Sequence, residues 1–291
     1  MHIYDRLHCI MAADPIEHEV IMDLVLRYKK DEKERINMYT WRHLLWIVIS
    51  ISIVSAIVYD YKRKHPDLDR VFTTALIIAI LSEIAKISGV IELVPSHDHK
   101  LLLPYIPLNH LPLHFCSIQI VLIAIAKFMK NEKRRETLLA FMAPTCVLGG
   151  IMALLMPSIF TTTISVKQAF TNPVSYQFFI FHSMIIALGL VITISGQVDW
   201  SMKHFIDTLL FVYLAGAVSI YLNSVFASPT YEDGKLVSVD FWTNFFFTYQ
   251  NPVGIQITQL WQWYLYLLIL MLLSALLLFL FYLPLVKRKQ K

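Results

Sequence analysis

Asn109-His110-Leu111-Pro112-Leu113-His114-Phe115-Cys116-Ser117 opens an apolar run that continues through Ile125. Runs of about 20 apolar residues have the length needed to cross the hydrocarbon core of a bilayer. Runs of this kind recur at about 41–59, 70–92, 108–128, 137–156, 174–194, 205–226 and 260–284. The expected fold is therefore all-α, a polytopic membrane bundle of seven transmembrane helices over 41–286. An extramembrane tail, 1–40, precedes it and a basic tail, 287–291, follows. Proline is accepted in the first turn of a helix and disrupts an interior, so Pro112 marks either the start of the third span or a kink in it.

Composition agrees. The chain has 291 residues, is 57% hydrophobic and only 16% charged, with a mean hydropathy of +0.58. A soluble chain of this size needs far more polar surface to cover its core. The net charge of +4 comes from basic residues beside apolar runs rather than from a groove-like patch, which excludes nucleic acid as the expected partner. Cys9, Cys116 and Cys146 are odd in number and far apart, so no disulfide framework follows.

In the tail, Asp14 suits an N-cap, Pro15 the first helical position and Glu17 a capping box. Ile16, Val20, Ile21, Leu24 and Val25 then recur at helical spacing, giving an amphipathic helix to about Arg35 that lies on the membrane surface or packs on loops. Basic residues crowd the connections at one end of the bundle, as in Tyr61-Lys62-Arg63-Lys64 and Lys130-Asn131-Glu132-Lys133-Arg134-Arg135. The opposite connections hold only Lys100, Lys167 and Lys235. The positive-inside rule puts the C-terminus in the cytoplasm and the N-terminus outside, in the cell membrane. Aromatic residues of 241–249, followed by Trp261 and Trp263, read as an interfacial belt.

This topology gathers polar residues. Cys116 and His182 each fall roughly 12 Å below the outer boundary at 1.5 Å per residue, and Glu83, Lys86 and Asn223 occupy the same half of the bilayer. Ionisable groups there are expensive and mark functional candidates. Glu83 and Lys86, three apart, also fit a structural ion pair. Either Cys116 or His182 alone fits a buried structural role. As a pair they fit nucleophilic catalysis: a thiol that burial keeps protonated needs a histidine to accept its proton during attack and return it to the leaving alkoxide. Asn223 or Lys86 would stabilise the oxyanion, and His114, two residues from Cys116, would support from the rim. His97, His99, His110 and His114 raise a zinc reading, but no motif fixes a third ligand. No metal or other cofactor is expected, and membrane phospholipids are the expected partners. The competing class is a non-enzymatic receptor or small-solute carrier with Glu83, Lys86, His182 and Asn223 lining its pocket.

The stretch Leu111-Pro112-Leu113-His114-Phe115-Cys116-Ser117 resembles the Leu-Pro-Leu-His-Leu-Cys signature of the YwaF family of bacterial integral membrane proteins. That family is related to the eukaryotic acyltransferase transmembrane protein 164. Gly150, Ala153 and Pro157, the segment Phe178-Phe179-Ile180-Phe181-His182, Asn223, Asn244-Phe245-Phe246-Phe247 with Asn251-Pro252, and Trp261-Gln262-Trp263-Tyr264 resemble further family motifs. Phe245 stands where the family tends to have tyrosine, and Gln262 where it has proline. The resemblance covers about 41–286. It implies movement of a fatty acyl chain between phospholipids through a thioester, with Cys116 and His182 as the matching residues and Asn244 as a supporting one.

Overall fold

The computed structural model describes residues 39–95, 101–157, 159–160, 163–232, 234–252 and 255–289. The amphipathic helix expected over 14–35 and the histidines His97 and His99 lie outside the described residues. Among the described residues, six helices are long and apolar enough to cross a bilayer: α1 (Trp41–Lys64), α2 (Leu68–Val90), α4 (Glu132–Leu155), α6 (Pro173–Ile194), α7 (Met202–Val225) and α8 (Leu260–Lys289). Between α2 and α4 stands α3 (Phe115–Phe128), and α5 (Thr163–Lys167) is a short link before α6.

The third span departs from expectation. Its helix starts at Phe115 rather than near 108, and has 14 residues, or about 21 Å at 1.5 Å per residue. The preceding stretch is a 3-10 turn at Leu108–His110 followed by irregular chain. Pro112 thus lies before the helix, and the extended backbone of Leu111 and His114 carries the chain into it.

Two helices form the interior. The central windows of α6 and α4 are 72% and 56% buried, against 11% for α1, α7 and α8. A helix apolar on all sides belongs in the middle of a bundle, and α6, largely apolar and free of Asp, Glu, Lys and Arg, meets α1, α2 and α4. Close approach depends on glycine. A Cβ on Gly189 would lie 2.6 Å from the Ala143 carbonyl oxygen and 2.8 Å from a Val147 methyl. A Cβ on Gly150 would lie 2.5 Å from Ile186 Cγ1. Small residues at such crossings let backbones touch where no hydrophobic effect drives helices together.

Polar groups stitch the outer helices to this pair. Pro144 has no N–H, so the Ala140 carbonyl of α4 loses its helical donor; the buried Tyr282 hydroxyl of α8 donates to it at 2.8 Å and also meets Thr208 of α7 at 2.8 Å. At the other end of α4, the Leu154 carbonyl accepts from His43 Nε2 of α1 at 2.7 Å. Trp46 Nε1 donates to Ala169 at 3.0 Å. The end of the bundle rich in basic residues is closed by Arg135 on Asp69 and by Lys127 Nζ on Thr73 Oγ1 at 2.5 Å.

The opposite end carries two antiparallel hairpins. One pairs β1 (Glu92–Pro95) with β2 (Leu102–Tyr105), the other β3 (Ala227–Glu232) with β4 (Lys235–Phe241). After β4, a 3-10 turn at Phe245–Phe247 packs against α7. This hairpin end is where the polar residues gather.

Replacement of Gly189 by leucine is expected to prevent a monodisperse fold, whereas Gly216→Ala, with nothing within 4 Å of the new Cβ, is expected to leave it intact. Size-exclusion profiles and thermal unfolding of the two variants in detergent check this; equal behaviour of both contradicts the packing described.

Candidate functional site

With the helix starting at Phe115, Cys116 is its second residue and His114 its N-cap. The first amides of any helix have no carbonyl four residues back to bond, and the aligned peptide dipoles make that end positive. A thiol in the first turn therefore sits beside unused N–H groups. The helical count from Leu108 to Cys116 does not apply, because 108–114 is not α-helical. A Cβ on Gly149 would lie 3.8 Å from Cys116 Sγ, and one on Gly150 3.2 Å from the His182 carbonyl. Cys116 and His182 thus flank the Gly149-Gly150 step of α4, about 9 Å below its last turn at 1.5 Å per residue.

The thiol and the imidazole are not coupled as expected from the sequence. Cys116 Sγ donates to the Gly149 carbonyl at 3.7 Å, while His182 Nδ1 lies 2.7 Å from the Phe178 carbonyl of its own helix. No hydrogen bond joins the two side chains. Each instead uses a backbone carbonyl as its acceptor. The histidine contact nonetheless fixes a tautomer. A carbonyl only accepts, so the proton is on Nδ1, which leaves the Nε2 lone pair as the basic site. His182 is buried, with Phe178 and Phe181 ring centroids 4.2 and 5.5 Å from its own.

His114 stands just outside the helix, as its N-cap. Its ring meets Phe245 edge-on at 5.0 Å, and it lies within electrostatic range of His182. Phe115 meets Phe246 at 5.1 Å. The 3-10 turn thereby roofs the start of α3. Phe246 and Phe247 hold left-handed backbone, with φ of 57° and 55°, a region that bulky residues seldom occupy. Such conformations persist where the surroundings over-determine them, at a cost of about 1–3 kcal/mol each.

Asn223 supplies that determination. Its amide nitrogen donates to the Phe245 carbonyl at 3.2 Å and to Thr248 Oγ1 at 3.0 Å; its oxygen accepts from Thr243 Oγ1 and the Phe245 amide, both at 2.9 Å. All four bonding capacities of the side chain are filled. Asn223 is thus committed to the roof, with nothing left to stabilise an oxyanion or line a solute pocket. Asn244 is similarly spent, donating to the Gln250 carbonyl at 2.8 Å and accepting from the amides of Tyr249 and Gln250. Trp263 Nε1 ties the start of α8 to the Thr248 carbonyl at 2.9 Å. A cavity of about 320 Å³ opens beside this roof, lined by Tyr105, Leu108, Phe226 and Trp242 among others, and the Phe226 ring itself touches Phe245 at 6.2 Å.

Glu83 and Lys86 form an ion pair at 2.7 Å on α2, the side chains 19% and 13% exposed. The contact lies off hydrogen-bond geometry. His110, at the rim, is held below its ordinary pKa by burial and then by the nearby Lys86 charge. Among the described residues, no group of three metal-ligating side chains converges.

Two residues went unread in the sequence. Gln119, one turn after Cys116, is fully buried against α4; its Nε2 donates to Thr145 Oγ1 at 3.0 Å, and its Oε1 has no partner among the described residues. An amide inside the apolar run 118–126 was the available signal. His43 is fully buried among Tyr39, Phe160 and Phe179, with no motif to announce it.

An interrupted helix with a thiol in its first turn, set inside a multi-helix membrane bundle and covered by an aromatic turn, defines a polytopic membrane protein with its polar site toward one face of the bilayer. Residues 38–283 match the family described as the TMEM164 family, and the chain belongs to it. Comparison with the curated proteins and with the solved structures returned no match.

Asn223→Leu is expected to free the roof, since each buried group left unpaired costs about 1–3 kcal/mol. Hydrogen exchange at the Phe245 amide should accelerate at least tenfold, with Asn223→Asp intermediate because its acceptors survive. Unchanged exchange in Asn223→Leu contradicts the assignment.

Proposed function

We propose that this protein transfers or hydrolyses fatty acyl groups of membrane phospholipids, with Cys116 as nucleophile and His182 as general base and then acid. The observation that carries this reading is the position of Cys116, in the first turn of a helix that begins at bilayer depth. Non-helical backbone at that depth is tolerated where protein covers it or where it lines a cavity. Membership of the TMEM164 family supports the reading through the acyltransferase to which that family is related.

The ester carbonyl enters with its oxygen toward the first-turn amides of α3. The Cys116 sulfur attacks the carbonyl carbon, and the thiol proton passes to His182 Nε2, whose lone pair the Phe178 contact leaves available. Charge on the tetrahedral oxygen is held by the unpaired amides and the helix dipole, the kind of preorganised stabilisation that dominates acyl transfer. Collapse breaks the carbon–oxygen bond, and the leaving alkoxide takes the proton from His182. A lysophospholipid hydroxyl or water then attacks the thioester by the reverse path. In the resting protein the thiol rests on the Gly149 carbonyl, and the thiol–imidazole couple assembles with the substrate, as catalytic contacts often do. The hairpin end faces outward, in accord with the basic residues at the other end.

Purified protein in nanodiscs, given a phospholipid with a labelled acyl chain and an unlabelled lysophospholipid, tests this. Label should reach the acceptor or appear as free fatty acid. Cys116→Ala should abolish turnover, Cys146→Ala should retain it, and His182→Ala should lower it about 10²–10⁴-fold, the range for loss of a general acid–base. Undiminished turnover by Cys116→Ala contradicts the reading.

A further inference from the structure

The Glu83–Lys86 pair faces a specific notch. Ala75 and Ala79 of α2 are buried in the core, and Ser82, continuing that stripe, accepts a hydrogen bond from Gln177 of α6 at 2.8 Å. Two turns beyond, a Cβ on Gly89 would lie 3.1 Å from Val174 of α6. Lys86 falls between them at helical spacing, four residues after Ser82 and three before Gly89, so it shares the face that α2 turns toward the first turns of α6. His110 of the 3-10 turn lies within electrostatic range of Lys86.

The ammonium in this notch is under-satisfied. It carries three N–H donors, is only 13% exposed, and among the described residues meets one counter-ion, Glu83, off hydrogen-bond geometry. The adjacent N-terminus of α6 adds its positive dipole end; its cap, Asn172, accepts only from the Val174 amide. A charge held inside a bilayer at this cost calls for a partner. The depth identifies one. Lys86 lies four residues from the end of α2, about 6 Å, where a long side chain reaches up toward lipid phosphates.

We propose that the notch formed by Lys86, Glu83, His110 and the N-terminus of α6 binds the phosphodiester of a glycerophospholipid headgroup. Lys86 is the principal contact and the acyl esters hang toward Cys116. This deepens the acyl-transfer reading by naming the recognised part of the substrate, and for its catalytic consequence rests on that reading. A neutral diacylglycerol with the same chains lacks the recognised group and is discriminated against.

Native mass spectrometry of the full-length protein, exchanged from detergent against dioleoyl-phosphatidylethanolamine or dioleoylglycerol, tests the site without any turnover. Wild-type and Cys116→Ala protein should both retain the phospholipid at least tenfold better, the scale of one charge-assisted hydrogen bond. Lys86→Met should lose that preference. Glu83→Gln/Lys86→Met, which removes both charges and so leaves none stranded, should keep wild-type thermal stability and also lose it. Inorganic phosphate at millimolar concentration should not displace the lipid. Equal retention of both lipids by the wild type overturns the proposal, as does a preference that survives in the stable double variant. Full displacement by inorganic phosphate overturns the lipid assignment in favour of a free-anion site. Failure of the catalytic reading is separately visible as headgroup preference without acyl transfer, and failure of the notch alone as acyl transfer equally fast from either lipid.

Discussion

A helix that begins inside the bilayer leaves backbone amides with no carbonyl to bond, and the arrangement around α3 answers that constraint. Hydrocarbon offers such groups nothing, so protein must cover them. The cover here is the 3-10 turn at Phe245–Phe247, whose rings rest on His114 and Phe115. Asn223 in turn spends its whole side chain holding that turn in place. The left-handed backbone at Phe246 and Phe247 is a cost accepted for the cover. The outcome is a first turn of α3, with Cys116 in it, lying beneath aromatic rings.

The two inner helices serve the same end. Gly149 and Gly150 are consecutive, so they present opposite flanks of α4, one to the Cys116 sulfur and the other to the backbone of His182. A Cβ at Gly150 would lie 2.5 Å from Ile186 and push α6 away, whereas one at Gly149 would meet the Phe115 ring at 3.4 Å, in ordinary contact. His182 meanwhile bonds its own helix through Nδ1, which orients the ring and leaves its basic nitrogen uncommitted. Cys116 and His182 are thus set among helix starts, glycines and the aromatic roof, with few charged side chains beside them.

Much of this was legible in the sequence. Hydrophobic run length marks bilayer spans because the hydrocarbon core sets it, and six of the seven runs became helices of spanning length. The order of those helices followed from residue counting alone. The true start of α3 did not, because Pro112 fits either side of a helix start and only tertiary cover decides whether 108–114 can forgo helical bonds. Asn223 was recognisable as a polar residue at the right depth, but its commitment to Thr243, Phe245 and Thr248 depends on how the chain returns after β4, which no local pattern encodes. Gln119 and His43 were overlooked because a single polar residue in an apolar run carries no periodic signal; each is explained by one long-range contact, with Thr145 and Leu154 respectively.

The most direct test is the intact mass of the protein after brief exposure to a phospholipid with a defined acyl chain and no acceptor. The account predicts a mass increase of one acyl group, mapped to Cys116 and released by neutral hydroxylamine, as a thioester requires. An acyl group on any other residue, or an unmodified Cys116 in protein that still turns over lipid, contradicts it.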